Sequence, residues 1–230
     1  MASIILHGHQ FSYQIIRKNI SSIRLRLQSR RSFVVSAPKF TPEFVLTRFI
    51  QKNSAWIISH SQQLRSPRLL SRLTTLSILG QTFDLIFVST QSDSVIIYQN
   101  EKKIYANISK NTNSHIKKIL EKKLRPLALS LINQELTSLK QQFGFDYHHV
   151  TVRNQSSRFG SCSSRGNLNF NWQIIFFPPD KFRHILLHEL THLNIKNHSP
   201  KFWQQLTQYD PHAKTNNLWL KQEGTKKMIF

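Results

Sequence analysis

The sequence predicts an α+β protein, a small strand-rich first region followed by a helical unit built around one chemically marked helix. Three observations carry this. Ile23-Arg24-Leu25-Arg26-Leu27 alternates apolar and basic side chains, the period of a strand with one buried and one wet face. Ile116, Leu120, Leu124, Leu127, Leu131, Leu136 and Leu139 recur at helical spacing over 116–143. Phe182, Ile185, Leu186, Leu190 and Leu193 fall on one face of a helix expected over 179–194, which also carries His188-Glu189-Leu190-Thr191-His192.

In chain order, Ile23–Leu27 and a second run, Phe33-Val34-Val35-Ser36-Ala37, predict a hairpin. Thr41-Pro42 reads as an N-cap followed by proline at the first helical position. The helix that follows is expected to reach about residue 63 and to bury Phe44, Val45, Phe49, Trp56 and Ile57. A polar connector over 61–68 leads to strands at 79–88, 94–98 and 104–108. The polar run 109–114 predicts a boundary, giving a basic strand-rich region over 1–108, a site-bearing unit over 114–224 and a tail over 225–230. Pro126 should kink or break the long helix. Leu168, Phe170 and Trp172 alternate with Asn169 and Asn171, and Ser164-Arg165-Gly166-Asn167 is turn chemistry, so 158–172 predicts a hairpin. No internal repeat is evident.

Composition narrows the function classes. The 230 residues suffice to bury a core, and 16 Phe with 39% hydrophobic residues exclude a disordered chain. Six Gly and eight Pro exclude collagen-like and low-complexity sequences. One cysteine, Cys162, excludes an intrachain disulfide and a cysteine-built zinc finger. No apolar run approaches a membrane span, and the first ten residues lack a signal-peptide core, so the chain is expected to be cytoplasmic. Thirty-two Lys and Arg against 11 Asp and Glu give +21, a surface that favours polyanions. Residues 1–72 hold 12 of those cations and a single acid, Glu43.

The chemistry lies in His188, Glu189 and His192. Histidines four apart sit about 40° from each other around a helix and can share one metal. The glutamate between them points beside that metal, where it can take a proton from water. His198 follows six residues after His192. On an unbroken helix it would point about 120° away, so the chain must turn first. Asn194 and Asn197 are candidates for the left-handed residues that end helices. Ser199-Pro200 then starts a new helix with Phe202, Trp203 and Leu206 on its apolar face. His198 therefore sits in a short inter-helix turn.

Arg158-Phe159-Gly160-Ser161-Cys162, Gly166-Asn167-Leu168 with Asn171, Pro179, the His188–His192 motif and Asn197-His198-Ser199-Pro200 with Phe202-Trp203 resemble the YgjP-like zincin-type metal-dependent hydrolases, relatives of SprT-like proteins. The resemblance is strong over 153–220 and weaker at Trp56-Ile57, Leu79-Gly80 and the early strands. It implies a zincin-like catalytic domain with one zinc ion, His188, His192 and His198 as ligands and Glu189 as the catalytic residue. Two departures stand out. Phe159 occupies a position where the family usually has Trp, and Pro211-His212-Ala213 stands where it usually has Pro-Asp-Tyr. Tyr209 or His212 would have to substitute if that tyrosine stabilises an oxyanion.

Three readings follow. The leading one is a zinc metallopeptidase with Glu189 as general base and Arg158 as the cation for developing negative charge. The second is a nucleoside triphosphate pyrophosphatase using the same metal site, favoured by the charge of +21. The third is a nucleic-acid-binding protein with a structural metal, resting on Arg24, Arg26, Arg30 and Arg31.

Overall fold

A computed structural model of the chain describes residues 2–63, 70–155 and 158–228. The chain forms two compact units, Met1–Leu69 and Leu70–Phe230. The expected boundary at 109–114 therefore moves to 69/70. The reason is burial: Ile104, Ala106 and Ile108, before the polar run, share one core with Ile116, Leu120 and Leu124 after it.

In the first unit, β1 (Ala2–Leu6), β2 (His9–Lys18), β3 (Arg24–Ser29) and β4 (Ser32–Pro38) form a sheet in the order β1-β2-β4-β3. The expected hairpin is β3–β4, antiparallel, with Leu25 opposite Val35 and Leu27 opposite Phe33. β4 also pairs in parallel with β2, which pairs antiparallel with β1. The single helix expected next is two, α1 (Glu43–Lys52) and α2 (Ser54–Gln63). Asn53 separates them, its side-chain amide donating to the Phe49 carbonyl at 2.8 Å. The cap is Pro42 rather than Thr41, with no side-chain hydrogen bond. The buried face is Leu46, Ile50 and Ile57, packed on Phe33, Val35 and Ala37. Phe44, expected inside, is 72% exposed, because the sheet takes the neighbouring stripe of the helix. Trp56 is also exposed and stacks on His60. Most of the expected connector over 61–68 lies outside the described residues.

In the second unit, β5 (Thr75–Ile78), β6 (Gln81–Ser89), β7 (Ser94–Tyr98) and β8 (Lys103–Ile108) form a sheet in the order β5-β6-β8-β7. The strand expected from 79 is entered instead through a tight turn, with Leu79 at φ 45° and Gly80 at φ 80°. The helix α3 (Asn113–Phe143) starts under the Thr112 hydroxyl, which accepts from the His115 N–H, and ends at Gly144 in the left-handed conformation. It runs through Pro126 without ending. An interior proline costs about 3 kcal/mol. Leu120, Leu124, Ala128, Ile132, Leu136 and Leu139 are fully buried on one face of α3, and each large apolar side chain contributes about 1.5–3 kcal/mol, so burial outweighs the proline.

A second, three-stranded sheet has the order β10-β11-β9, from β9 (Val150–Arg153), β10 (Gly160–Cys162) and β11 (Leu168–Asn171). β10 and β11 are the hairpin expected over 158–172, and β11 runs parallel to β9. A 3₁₀ turn, Trp172–Phe176, leads into α4 (Pro179–Thr191), then α5 (Pro200–Tyr209) and α6 (Ala213–Trp219). Phe182, Ile185, Leu186 and Leu190 anchor α4 in the core that α3 dominates, and Arg183 of α4 pairs with Glu135 of α3. The expected tail contains a helical turn, Thr225–Lys227, and Met228 packs on the same core. Among the described residues no helix is long and apolar enough to cross a membrane.

Candidate metal centre

α4 begins with Pro179 at its first position and Asp180 in its first turn, both favourable at a helix N-terminus. It ends at Thr191, three residues earlier than expected, with His192 as C-cap. Leu193 and Asn194 close the end through N–H bonds to the carbonyls of Leu190 and Thr191. Asn194 and Asn197 do not adopt positive φ, so the expected left-handed termination is replaced by a tight right-handed one. The turn is followed at once by Ser199 and Pro200, which start α5. This early stop, with α5 restarting immediately, returns His198 to the face of His188 and His192.

The Nε2 of His198 lies 2.9 Å from Nε2 of His188 and 3.2 Å from Nε2 of His192. The three rings each offer one ligand atom within 4.8 Å of the others, the one such cluster among the described residues. Nitrogens held by a tetrahedral ion at about 2.0–2.1 Å stand about 3.4 Å apart, so the donor set fits a small divalent cation. Phe202 floors the cluster, its ring centroid 4.6–4.9 Å from all three imidazoles. His192 Nδ1 donates to the Ile195 carbonyl at 2.9 Å, which fixes the tautomer and leaves Nε2 with its lone pair. Burial, with the neighbouring imidazoles, pushes His188 down to about 3, so it is neutral and able to ligate.

Glu189 is 6% exposed, and its Oε2 has no hydrogen-bond partner among the described residues. Burial raises its carboxyl to about 7, opposed by the charge of Arg158. β10 passes directly over it at Gly160. Ser163 N–H donates to Asn167 and Asn171 N–H to Phe159, so by alternation Gly160 and Cys162 turn their backbone N–H and C=O groups away from β11. Among the described residues, these groups form the unpaired edge of the sheet.

A cleft of about 730 Å³ opens over the cluster, bordered by Arg158, Gly160, Cys162, Lys196, Asn217 and Lys221. Of the residues read from the sequence, His188, Glu189, His192, His198 and Arg158 all line it. Tyr209 and His212 do not. Tyr209 packs in an aromatic group with Phe143 and Phe145, and His212 is exposed. Cys162 stands beside the cluster with its thiol donating to the Ser163 carbonyl, and burial pushes that thiol up.

One arrangement escapes sequence reading. His184, one turn before His188, is 1% exposed, and its Nδ1 meets Asp210 Oδ2 at 2.6 Å. Asn216 donates to the same oxygen at 2.9 Å, the His212 N–H donates to Asp210 Oδ1, and Lys181 donates to Asn216. This buried network ties α4 to the start of α6. Its only local signal is that His184 continues the i, i+4 stripe of the motif.

An α+β fold with three imidazoles converging beside a buried glutamate is that of a zincin-like protein. The chain belongs to the YgjP-like family: the model of the YgjP-like metallopeptidase domain matches residues 21–223. Partial likeness extends to two solved metallopeptidase zymogens. Abylysin of Pyrococcus abyssi is 22% identical, with a TM-score of 0.35 over 39% of this chain and 93% of that one. Jannalysin of Methanocaldococcus jannaschii is 24% identical, with a TM-score of 0.33 over 42% of this chain and 95% of that one. No protein of curated function matches the chain.

Proposed function

We propose that this chain is a zinc-dependent hydrolase of polypeptides, with His188, His192 and His198 as metal ligands and Glu189 as general base. The observation that carries it is the convergence of three imidazole nitrogens beside a buried carboxyl group whose Oε2 has no partner among the described residues. A bound zinc ion supplies Lewis acidity and lowers the pKa of water toward neutrality. Glu189, buried beside the three imidazoles, takes a proton from the attacking water and returns it to the leaving nitrogen. Arg158, exposed at the cleft, acts on negative charge that develops at the electrophile. The outward backbone groups of Gly160 and Cys162 pair with an extended substrate strand, holding it along the cleft.

The second reading, a nucleoside triphosphate pyrophosphatase, is favoured by Arg158, Lys196 and Lys221 around the same cleft. The products separate them. Purified protein is analysed for metal and then offered unfolded polypeptide and nucleoside triphosphates. Stoichiometric zinc with new peptide termini supports the peptidase, and released pyrophosphate without peptide cleavage replaces it by the second reading.

A further inference from the structure

The two four-stranded sheets are one module built twice. Both have the order first-second-fourth-third, with antiparallel, parallel and antiparallel pairings in turn. Both first turns use the same pair of positive angles, His7-Gly8 at 46° and 80°, Leu79-Gly80 at 45° and 80°. Leu6 and Phe11 flank the first as Ile78 and Phe83 flank the second, all buried. Inside, Leu25 opposite Val35 corresponds to Val95 opposite Ala106, and Leu27 opposite Phe33 to Ile97 opposite Ile104. The repeat is invisible in the sequence because only the apolar pattern and the turn are kept.

The outward faces differ, and the difference has one sign. In the second sheet a row across three strands reads Ile86, Tyr105, Ile96. In the first, the same row reads Gln14, Val34, Arg26. The next row is Val88, Asn107, Ser94 in the second sheet and Ile16, Ser36, Arg24 in the first. Lys18 extends the first face, and Lys18, Arg24, Arg26, Gln14 and Gln28 are all exposed. The single acid of the unit, Glu43, lies on α1, the layer that covers the opposite, core-facing side.

We propose that the outward face of β2, β3 and β4 is a docking surface for nucleic acid, gripped through its phosphodiester backbone. Arg24 and Arg26, two apart on one strand, have Cα atoms about 6.6–6.8 Å from each other and lie on the same face. Guanidinium matches phosphodiester oxygens in fork geometry, and both residues are Arg rather than Lys. A membrane would ask for a continuous exposed apolar face beneath the cations. Here Ile5 is exposed on the far strand β1, but Val34 is buried, Ile16 is half-buried, and the exposed neighbours of Arg24 and Arg26 include Gln14 and Gln28. The surface belongs to the first unit and the metal centre to the second, and the inference does not depend on the hydrolase reading.

The repeat supplies the test. Arg24→Ser with Arg26→Ile installs the residues that the second sheet carries at the same positions, so the strand pattern is one this module accepts. Anisotropy of the full chain with a labelled single-stranded oligonucleotide of about 30 nucleotides is followed between about 50 and 200 mM salt. The double variant should bind about tenfold or more weakly, and the log–log salt slope should shrink by about 1.4, two phosphate contacts' worth on a single strand. Arg24→Lys with Arg26→Lys should keep most of the slope, and Arg48→Ser with Lys52→Ser on α1 should keep both slope and affinity. If melting shows the Ser/Ile variant unfolded, Arg24→Gln with Arg26→Gln is read in its place. An unchanged slope in the neutral variants, an equal loss in the α1 variant, or tighter binding to phosphatidylserine vesicles than to the oligonucleotide overturns the proposal.

Discussion

Gly160 lies against the side chain of Glu189 with no room between them: a β-carbon at position 160 would stand 2.7 Å from Glu189 Cγ and 2.8 Å from Oε1. Strand β10 and helix α4 therefore meet at a residue without a side chain, and Glu189 is held in place by backbone. Gly160→Ala should displace the carboxylate by some tenths of an ångström to an ångström, enough to cost about 100-fold in kcat, while zinc content stays at the parent level. Activity within a factor of two of the parent would show that the position of Glu189 does not limit the reaction.

Glu189→Gln should keep the metal and lose hydrolysis, because an amide cannot take a proton from water. It should also change stability in a pH-dependent way. The folded carboxyl sits at about 7 against an ordinary 4.5. Its raised value means that the parent loses stability as pH rises from 4.5 through 7. The metal-free Gln variant should then match the parent near pH 4.5 and exceed it above pH 7 by up to about 3 kcal/mol, at about 1.4 kcal/mol per pH unit. Thermal melts of the two proteins in chelator, at both pH values, check this.

Removing His188 or His192 should abolish stoichiometric zinc binding, and His198→Ala should weaken it at least about tenfold. His198 is the exposed member of the three and sits in a turn, so its loss leaves the fold intact. Zinc titration beside a melting curve separates lost ligation from lost folding. Full occupancy in His198→Ala would remove that residue from the ligand set.

Asp210→Ala strands two buried donors, the His184 ring and the Asn216 amide, and should cost about 2–4 kcal/mol. Zinc affinity should fall as well, since His184 packs against His188 with ring centroids 6.2 Å apart. Asp210→Asn keeps one acceptor oxygen and should recover part of both losses. Chemical denaturation and zinc titration of the two variants check the order Ala below Asn below parent.

Local pattern determined much of this protein. The alternation at Ile23–Leu27, the leucine period over 116–143 and the i, i+4 spacing of His188 and His192 depend on neighbours within one turn or one hairpin, and each emerges where the sequence reads it. Tertiary structure decided the rest. Which stripe of α1 is buried depends on the sheet it meets, so Leu46 and Ile50 go in and Phe44 stays out. The division at 69/70 follows from strands β5–β8 sharing a core with α3, a partnership that a polar run at 109–114 cannot reveal. The contact of Gly160 with Glu189 and the bond of His184 to Asp210 join residues 29 and 26 positions apart. Propensity and periodicity act over a few residues, whereas these contacts exist only because burial of the α3 and α4 faces brings β10, α4 and α6 to one place.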